Sequence, residues 1–186
     1  MKNRERLKAL LLARSVRLGE FKLASGAMSN YYIDARTTTM SAEGQLLVGV
    51  VGYDAIRAAG LDPTHVGGLT MGADPVAYAI AHQSFIDGRP IDGFSVRKAP
   101  KDHGIGQRVE GGVPRHARCL VVDDTMTTGG STVEAVEALR AHGAEVIGAL
   151  ALINRGADPK AFEERTGVPL LWIFSGEELV DSEEFG

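Results

Sequence analysis

The chain lacks most of the features that mark an exported, membrane-bound or nucleic-acid-binding protein. It has a single cysteine, Cys119, so it cannot close an internal disulfide. Set in an apolar run, that cysteine reads as a small buried hydrophobe rather than a nucleophile, and a reducing cytoplasm is implied. No apolar run approaches the roughly 20 residues that a membrane-spanning helix needs. The amino terminus, MKNRERLKALLLARSVRLG, is interrupted by charge throughout and has no continuous apolar core of the kind a signal peptide carries. A cytoplasmic protein with no membrane role is expected. Positive charge is not in surplus either: 20 Lys and Arg stand against 24 Asp and Glu, a net charge of −4. There is no global pull toward nucleic acid or anionic lipid, so any anion site has to be local. Internal repeats and low-complexity linkers are absent, as are the phosphate-binding patterns GxxxxGK[ST] and GxGxxG.

What is present fits one soluble globular domain with a small appendage: 186 residues, 44% hydrophobic and 24% charged. Glycine is the outlier, at 23 residues against about 13 expected from ordinary usage, so many loops must bring backbone close to something. Residues 3–15 and 41–59 carry leucine, isoleucine and valine at helical spacing, and residues 21–34 between them read as a short hairpin. From Val66 onward, short apolar runs (66–70, 93–96, 118–122, 146–153) alternate with helical patterns (75–82, 131–142). Alternation of this kind predicts an α/β fold, a parallel sheet with helices on both faces. The end, LLWIFSGEELV, adds one more strand and a helical turn. The long stretch without a period is 97–116, glycine-rich and charged; a loop of that length in a compact domain is usually a functional lid or disordered.

The most informative run is CLVVDDTMTTGGST, residues 119–132. A buried strand delivers two adjacent carboxylates, Asp123 and Asp124, to its carboxyl end, the edge where open parallel sheets bind ligands. Thr125, Met126, Thr127, Thr128, Gly129, Gly130 and Ser131 follow, and then an amphipathic helix begins. The unpaired amides of a helix start, with hydroxyls around them, form a ready anion site. A helix cap alone needs only one such residue. One ligand that satisfies both halves carries hydroxyls a few ångströms from a phosphate, as a ribose 5-phosphate does.

Two further loops fall on the same edge. In RKAPKDHG, residues 97–104, Arg97, Lys98, Lys101 and His103 concentrate cations directly after a strand. There they can close over a pyrophosphate, neutralise it and exclude water. The loop GGLTMGAD, residues 67–74, offers glycines whose amides can approach a second phosphate; within it Asp74 reads equally well as a helix cap. Arg155 ends the strand 146–153 and is placed to pair with a planar carboxylate, although a plain surface arginine reads the same way.

The run VVDDTMTTGGST resembles the phosphoribosyl pyrophosphate motif of type I phosphoribosyltransferases. Four more segments are similar to the members that act on orotate: FKLASGAMSNYYIDAR, GGLTMGADPVA, RKAPKDHG and the Arg155 that closes LINR. The resemblance spans most of the chain. It implies a parallel-sheet core over about 41–170, with a small hood made by about 1–40 and the carboxyl-terminal end, all one phosphoribosyltransferase domain. It implies transfer of ribose 5-phosphate from phosphoribosyl pyrophosphate to orotate in pyrimidine biosynthesis, with Mg2+ as cofactor and no residue singled out as a direct protein ligand to it. Asp123 and Asp124 would hold the ribose hydroxyls, and the turn from Thr125 through Ser131 the 5-phosphate. Arg97, Lys98, Lys101 and His103 would bind pyrophosphate, Lys101, His103 and Asp124 being the catalytic set. Thr127 and Arg155 would hold orotate under a hood around Ser25, Gly26, Tyr31 and Tyr32. A homodimer is implied, its loop 97–106 reaching the partner's site. Two departures stand out: members carry a lysine where this chain has Ala24, with Lys22 two residues earlier, and another where it has Gly72. Purine phosphoribosyltransferases share the acidic pair and turn, and a non-catalytic sensor of phosphoribosyl pyrophosphate would too, so both stay open at this point.

Overall fold

The computed structural model describes residues 2–22, 28–99 and 108–180. Helix α1 (Lys2–Arg14) leads into an antiparallel ribbon, β1 (Val16–Lys22) and β2 (Met28–Ile33). A short turn of helix, α2 (Arg36–Thr39), precedes α3 (Ala42–Ala58), which Ser41 caps by accepting the Gly44 amide at 3.1 Å. Then come β3 (His65–Leu69), α4 (Ala73–Ile86), β4 (Asp92–Val96), β5 (Val109–Glu110) and β6 (Arg118–Met126). The chain closes with α5 (Gly130–His142), β7 (Glu145–Asn154), α6 (Pro159–Thr166), β8 (Leu170–Ser175) and α7 (Gly176–Val180).

The second sheet has the order β5-β4-β3-β6-β7-β8 and is parallel except where β5 pairs with β4. Its central strands are buried on both faces, as their uninterrupted apolar runs require. Along β6, Leu120 and Val122 join Leu47 of α3 and Ile80 of α4 in one core, whereas Cys119 and Val121 join Val136 and Leu139 of α5 in the other. The period of two along β6 thus assigns a helical layer to each face, and the expected architecture is observed. Helix α1 shares the first core through the fully buried Leu7 and Leu11, so the ribbon β1–β2 alone stands as a separate sheet.

Several boundaries differ from the sequence reading. The ribbon begins at Val16, five residues before the expected hairpin start. Strand β6 runs on through both aspartates to Met126 because β7 pairs with it as far as Met126 opposite Asn154. The stretch without a period is partly strand: Ser95 and Val96 pair with Glu110 and Val109, so the charged loop leaves the sheet on an antiparallel root. Helix α6 was not expected.

Two glycines set the depth of the central seam. A Cβ on Gly67 would lie 2.1 Å from the Phe94 carbonyl oxygen, and one on Gly68 would lie 2.2 Å from that of Val122 and 2.7 Å from the Ala73 Cβ. Neither backbone oxygen can yield without breaking the sheet. Gly68→Ala should therefore lower the urea midpoint, with a loss of about 2 kcal/mol in unfolding free energy; an unchanged midpoint would show that the seam is looser than these distances imply.

Candidate functional site

From β3 the chain passes through α4 to β4 on one side, then returns to β6 on the other side of β3. Connections leaving β3 and β6 therefore diverge, and the crevice between their carboxyl ends is the topological switch point where such sheets bind ligands. A cavity of about 360 Å³ opens there. Asp123, Asp124, Thr125 and Ser131 form its floor, and Thr70, Met71 and Gly72 one wall. Lys98 reaches it from the end of β4, and Tyr32, Asp34 and Arg36 close it from the amino-terminal side.

The two carboxylates have different surroundings. Asp123 is 7% exposed; its Oδ2 accepts the hydroxyls of Ser131 at 2.6 Å and Thr132 at 3.3 Å, which ties β6 to the start of α5. Burial raises its pKa, and these hydroxyls pull it back only in part. Asp124 accepts the Thr125 amide at 2.7 Å. Burial first, and then the charge on Asp123, push Asp124 up to about 6, against the Arg36 guanidinium, which favours the anion. Arg36 is itself held by Asp34, whose Oδ1 accepts from Nε at 2.9 Å and Oδ2 from an Nη at 3.3 Å; that hydrogen bonding holds the Asp34 carboxyl below its usual range. Both Asp123 and Asp124 turn an oxygen toward Gly72, where a Cβ would lie 2.7 Å from Asp124 Oδ1 and 3.3 Å from Asp123 Oδ1. Any side chain at position 72 would displace the acid pair, so a lysine there cannot be added to this arrangement unchanged.

Beyond β6 the turn is shaped for an anion. Gly129 is left-handed, with φ +73°, and precedes α5, whose first-turn amides have no intrahelical acceptors. Thr127 and Thr128 are exposed, and the Thr128 carbonyl is held by Arg165 at 3.0 Å. Met126 departs from the expected role, since its side chain is 1% exposed in the second core and its carbonyl accepts the Arg155 amide at 2.7 Å. It packs the strand end rather than offering a side chain to a ligand.

Arg155 and Thr127 lie outside the walls of the 360 Å³ cavity. The Arg155 guanidinium sits 4.9 Å from the ring centroid of Tyr31, and its buried Nε has no hydrogen-bond partner among the described residues. A buried cationic donor left unpaired is unfavourable until an acceptor arrives. Arg97 turns elsewhere: its side chain lies 3.8 Å from Glu110, and its main chain pairs with Arg108. Lys101, His103, Ala24, Ser25 and Gly26 lie outside the described residues. Arg36 and Asp34 were missed by the sequence reading, although both stand in the quoted YYIDAR segment. Cys119 is buried, and burial pushes its thiol up to about 12, in line with a packing role.

Residues 49–167 match the model of the phosphoribosyl transferase domain. The chain belongs to the phosphoribosyl transferase family. It is 41% identical over 183 residues to the orotate phosphoribosyltransferase of Aquifex aeolicus, covering 97% of this chain and 99% of that one. With the orotate phosphoribosyltransferase of Streptomyces avermitilis it shares 48% over 163 residues, 87% of this chain and 88% of the other. Among solved structures it is similar to the Mycobacterium tuberculosis orotate phosphoribosyltransferase in complex with 5-phospho-alpha-D-ribosyl 1-diphosphate. There the TM-score is 0.79 and the identity 35%, over 95% of this chain and 98% of that one. A second structure of the Mycobacterium tuberculosis enzyme gives a TM-score of 0.84 at 38% identity, covering 96% and 99%.

The acid pair also predicts a pH signature. Asp124 binds its proton more tightly folded than unfolded, so its contribution to stability is complete below the unfolded carboxylate pKa near 4 and is lost as pH rises through about 6. Without divalent cations, the wild-type protein minus Asp124→Asn should lose on the order of 2 kcal/mol of unfolding free energy between pH 4 and pH 7. Parallel stability–pH curves for the two proteins would contradict the assignment.

Proposed function

We propose that this protein is an orotate phosphoribosyltransferase, transferring ribose 5-phosphate from phosphoribosyl pyrophosphate to N1 of orotate. The observation that carries this reading is the acid pair beside the α5 amino terminus at the switch point, with Lys98 on the same cavity. The relatives at 36–48% identity share the activity in their names. The C1–oxygen bond breaks, its electron pair leaves with pyrophosphate, and the new C1–N1 bond forms as the N1 proton is lost. The products are orotidine 5-monophosphate and pyrophosphate.

The chain's own residues have divided roles. Asp123 and Asp124 accept the ribose hydroxyls, and the turn from Thr125 to Ser131 takes the 5-phosphate on its amides and hydroxyls. Lys98, Lys101 and His103 draw off the charge that develops on the leaving pyrophosphate, which is where stabilisation counts most. Arg155 pairs with the orotate carboxylate, its unpaired Nε gaining the acceptor it lacks, while Thr127 holds the ring. Orotate is already anionic, so no strong protein base is required.

Magnesium fits this site in a particular way. Asp123 and Asp124 are two carboxylates whose mutual repulsion a divalent cation would relieve. When bound, it supplies neutralisation of pyrophosphate charge. The protein acts as a homodimer in this reading. Arg97 is turned away from its own cavity toward Glu110, consistent with its charge, and those of Lys101 and His103, serving the partner's site.

Incubation with phosphoribosyl pyrophosphate, magnesium and, in turn, orotate, uracil, hypoxanthine or adenine should yield orotidine 5-monophosphate alone. Nucleotide from adenine or hypoxanthine would move the protein to purine substrates, and no product at all would favour a sensor. Arg155→Ala should raise KM for orotate by roughly 10-fold or more, the worth of a charged hydrogen-bonded pair; an unaltered KM would remove Arg155 from the acceptor site. Lys101→Ala and the Asp123→Ala, Asp124→Ala double variant should each be inactive, yet regain activity when mixed and allowed to exchange subunits. Failure to recover despite exchange would rule out loops acting across the dimer.

A further inference from the structure

Thr70 and Gly72 stand in the wall facing the acid pair, in a short loop where both are half-buried and Met71 between them is exposed. What fixes it is Asp74. This residue does not cap α4, whose cap is Gly72 without a side-chain bond. Instead its Oδ2 accepts the Thr70 hydroxyl at 2.6 Å and its Oδ1 accepts the Ser95 hydroxyl of β4. Since Ser95 spends its proton on Asp74, the 2.8 Å contact between Tyr78 and Ser95 is donated by the Tyr78 hydroxyl. Two hydroxyls therefore point one way, Tyr78 to Ser95 to Asp74, and a third, that of Thr70, meets the same carboxylate from the loop.

We propose that Asp74, oriented by Ser95 and Tyr78, is a positioning residue for the pyrophosphate half of the donor substrate. The geometry gives it two handles. Through Thr70, whose amide also bonds the Val96 carbonyl at 2.9 Å, it sets the backbone from Thr70 to Gly72 against Asp123 and Asp124. Through Ser95, two residues before Arg97, it anchors the root of the cationic segment. One carboxylate thus fixes the relative position of the amide-bearing wall and the lysine-bearing strand end, the two surfaces between which a pyrophosphate is held. A charged acceptor makes stronger hydrogen bonds than a neutral one, and the two hydroxyls need both of its oxygens.

This inference rests on the transferase reading above, and the wild-type protein in the same assay separates the two: a wild type without turnover rejects the activity, whatever the variants do. Given wild-type turnover, Asp74→Ala should raise KM for phosphoribosyl pyrophosphate about 10-fold while leaving KM for orotate within about 2-fold. Ser95→Ala is the decisive variant, because Ser95 lies outside the cavity and reaches it only through Asp74. It should raise the same KM about 3-fold, and Ser95→Thr, which keeps the hydroxyl, should restore it. A purely structural role predicts a lower melting temperature with both KM values moved together or not at all. Either of those results for Ser95→Ala overturns the proposal, even if Asp74→Ala fails to fold.

Discussion

Two carboxylates side by side at the end of a buried strand repel each other and resist desolvation, and the rest of the site is arranged around that constraint. Strand β6 cannot bury Asp123 without partners, so α5 begins with hydroxyls where Ser131 and Thr132 meet it. Asp124 is left half-buried against Gly72, the one residue type whose missing Cβ leaves its oxygen room. Arg36, held in place by Asp34, supplies opposing charge from across the cavity. None of these features maximises stability. Together they hold two acids side by side at a cost in stability, an exchange of stability for function if the pair accepts vicinal hydroxyls as proposed.

The sheet order was legible only in outline. Alternating apolar runs and helical patterns identify a parallel sheet, and the pair Asp123 and Asp124 followed by TTGG marks its ligand edge. What local pattern could not supply is where β6 ends: aspartate is a weak strand former, yet pairing with β7 carries the strand through Asp123 and Asp124 to four residues past Val122. The same holds for β5, two residues long in a charged, glycine-rich stretch and created by β4. Helix α6 did leave signs, the Asp158 cap, Pro159 in the first turn and the left-handed Gly167 at its end. Its eight residues offer little periodicity, however, since Phe162 is the single large apolar residue it buries.

Arg36 marks the other limit. Within YYIDAR nothing distinguishes an arginine that faces an active cavity from one that faces water, because the distinction is made by how the ribbon docks on the sheet edge. The alternation along β2 then does the rest. Tyr31 turns under the Arg155 guanidinium and Tyr32 turns to the cavity, so adjacent tyrosines meet different neighbours. Read as sequence the pair looks redundant; read along a strand it is a division of labour.

That division explains why the site spans the hood and the core instead of lying in the sheet alone. The acid pair, the glycine turn and the α5 amino terminus are fixed to β6, so the proposed sugar-phosphate site does not need the ribbon. Arg155, which the proposed function makes the anion site for the acceptor, leaves β7 alongside the end of β6: its amide is bonded to the Met126 carbonyl, and its guanidinium lies against Tyr31. Because Met126 is packed into the second core, the separation between Arg155 and the acid pair is set by the pairing of β6 with β7. The ribbon meets this frame where Tyr31 lies under the Arg155 guanidinium, and β5 meets it where Val109 and Glu110 pair with β4.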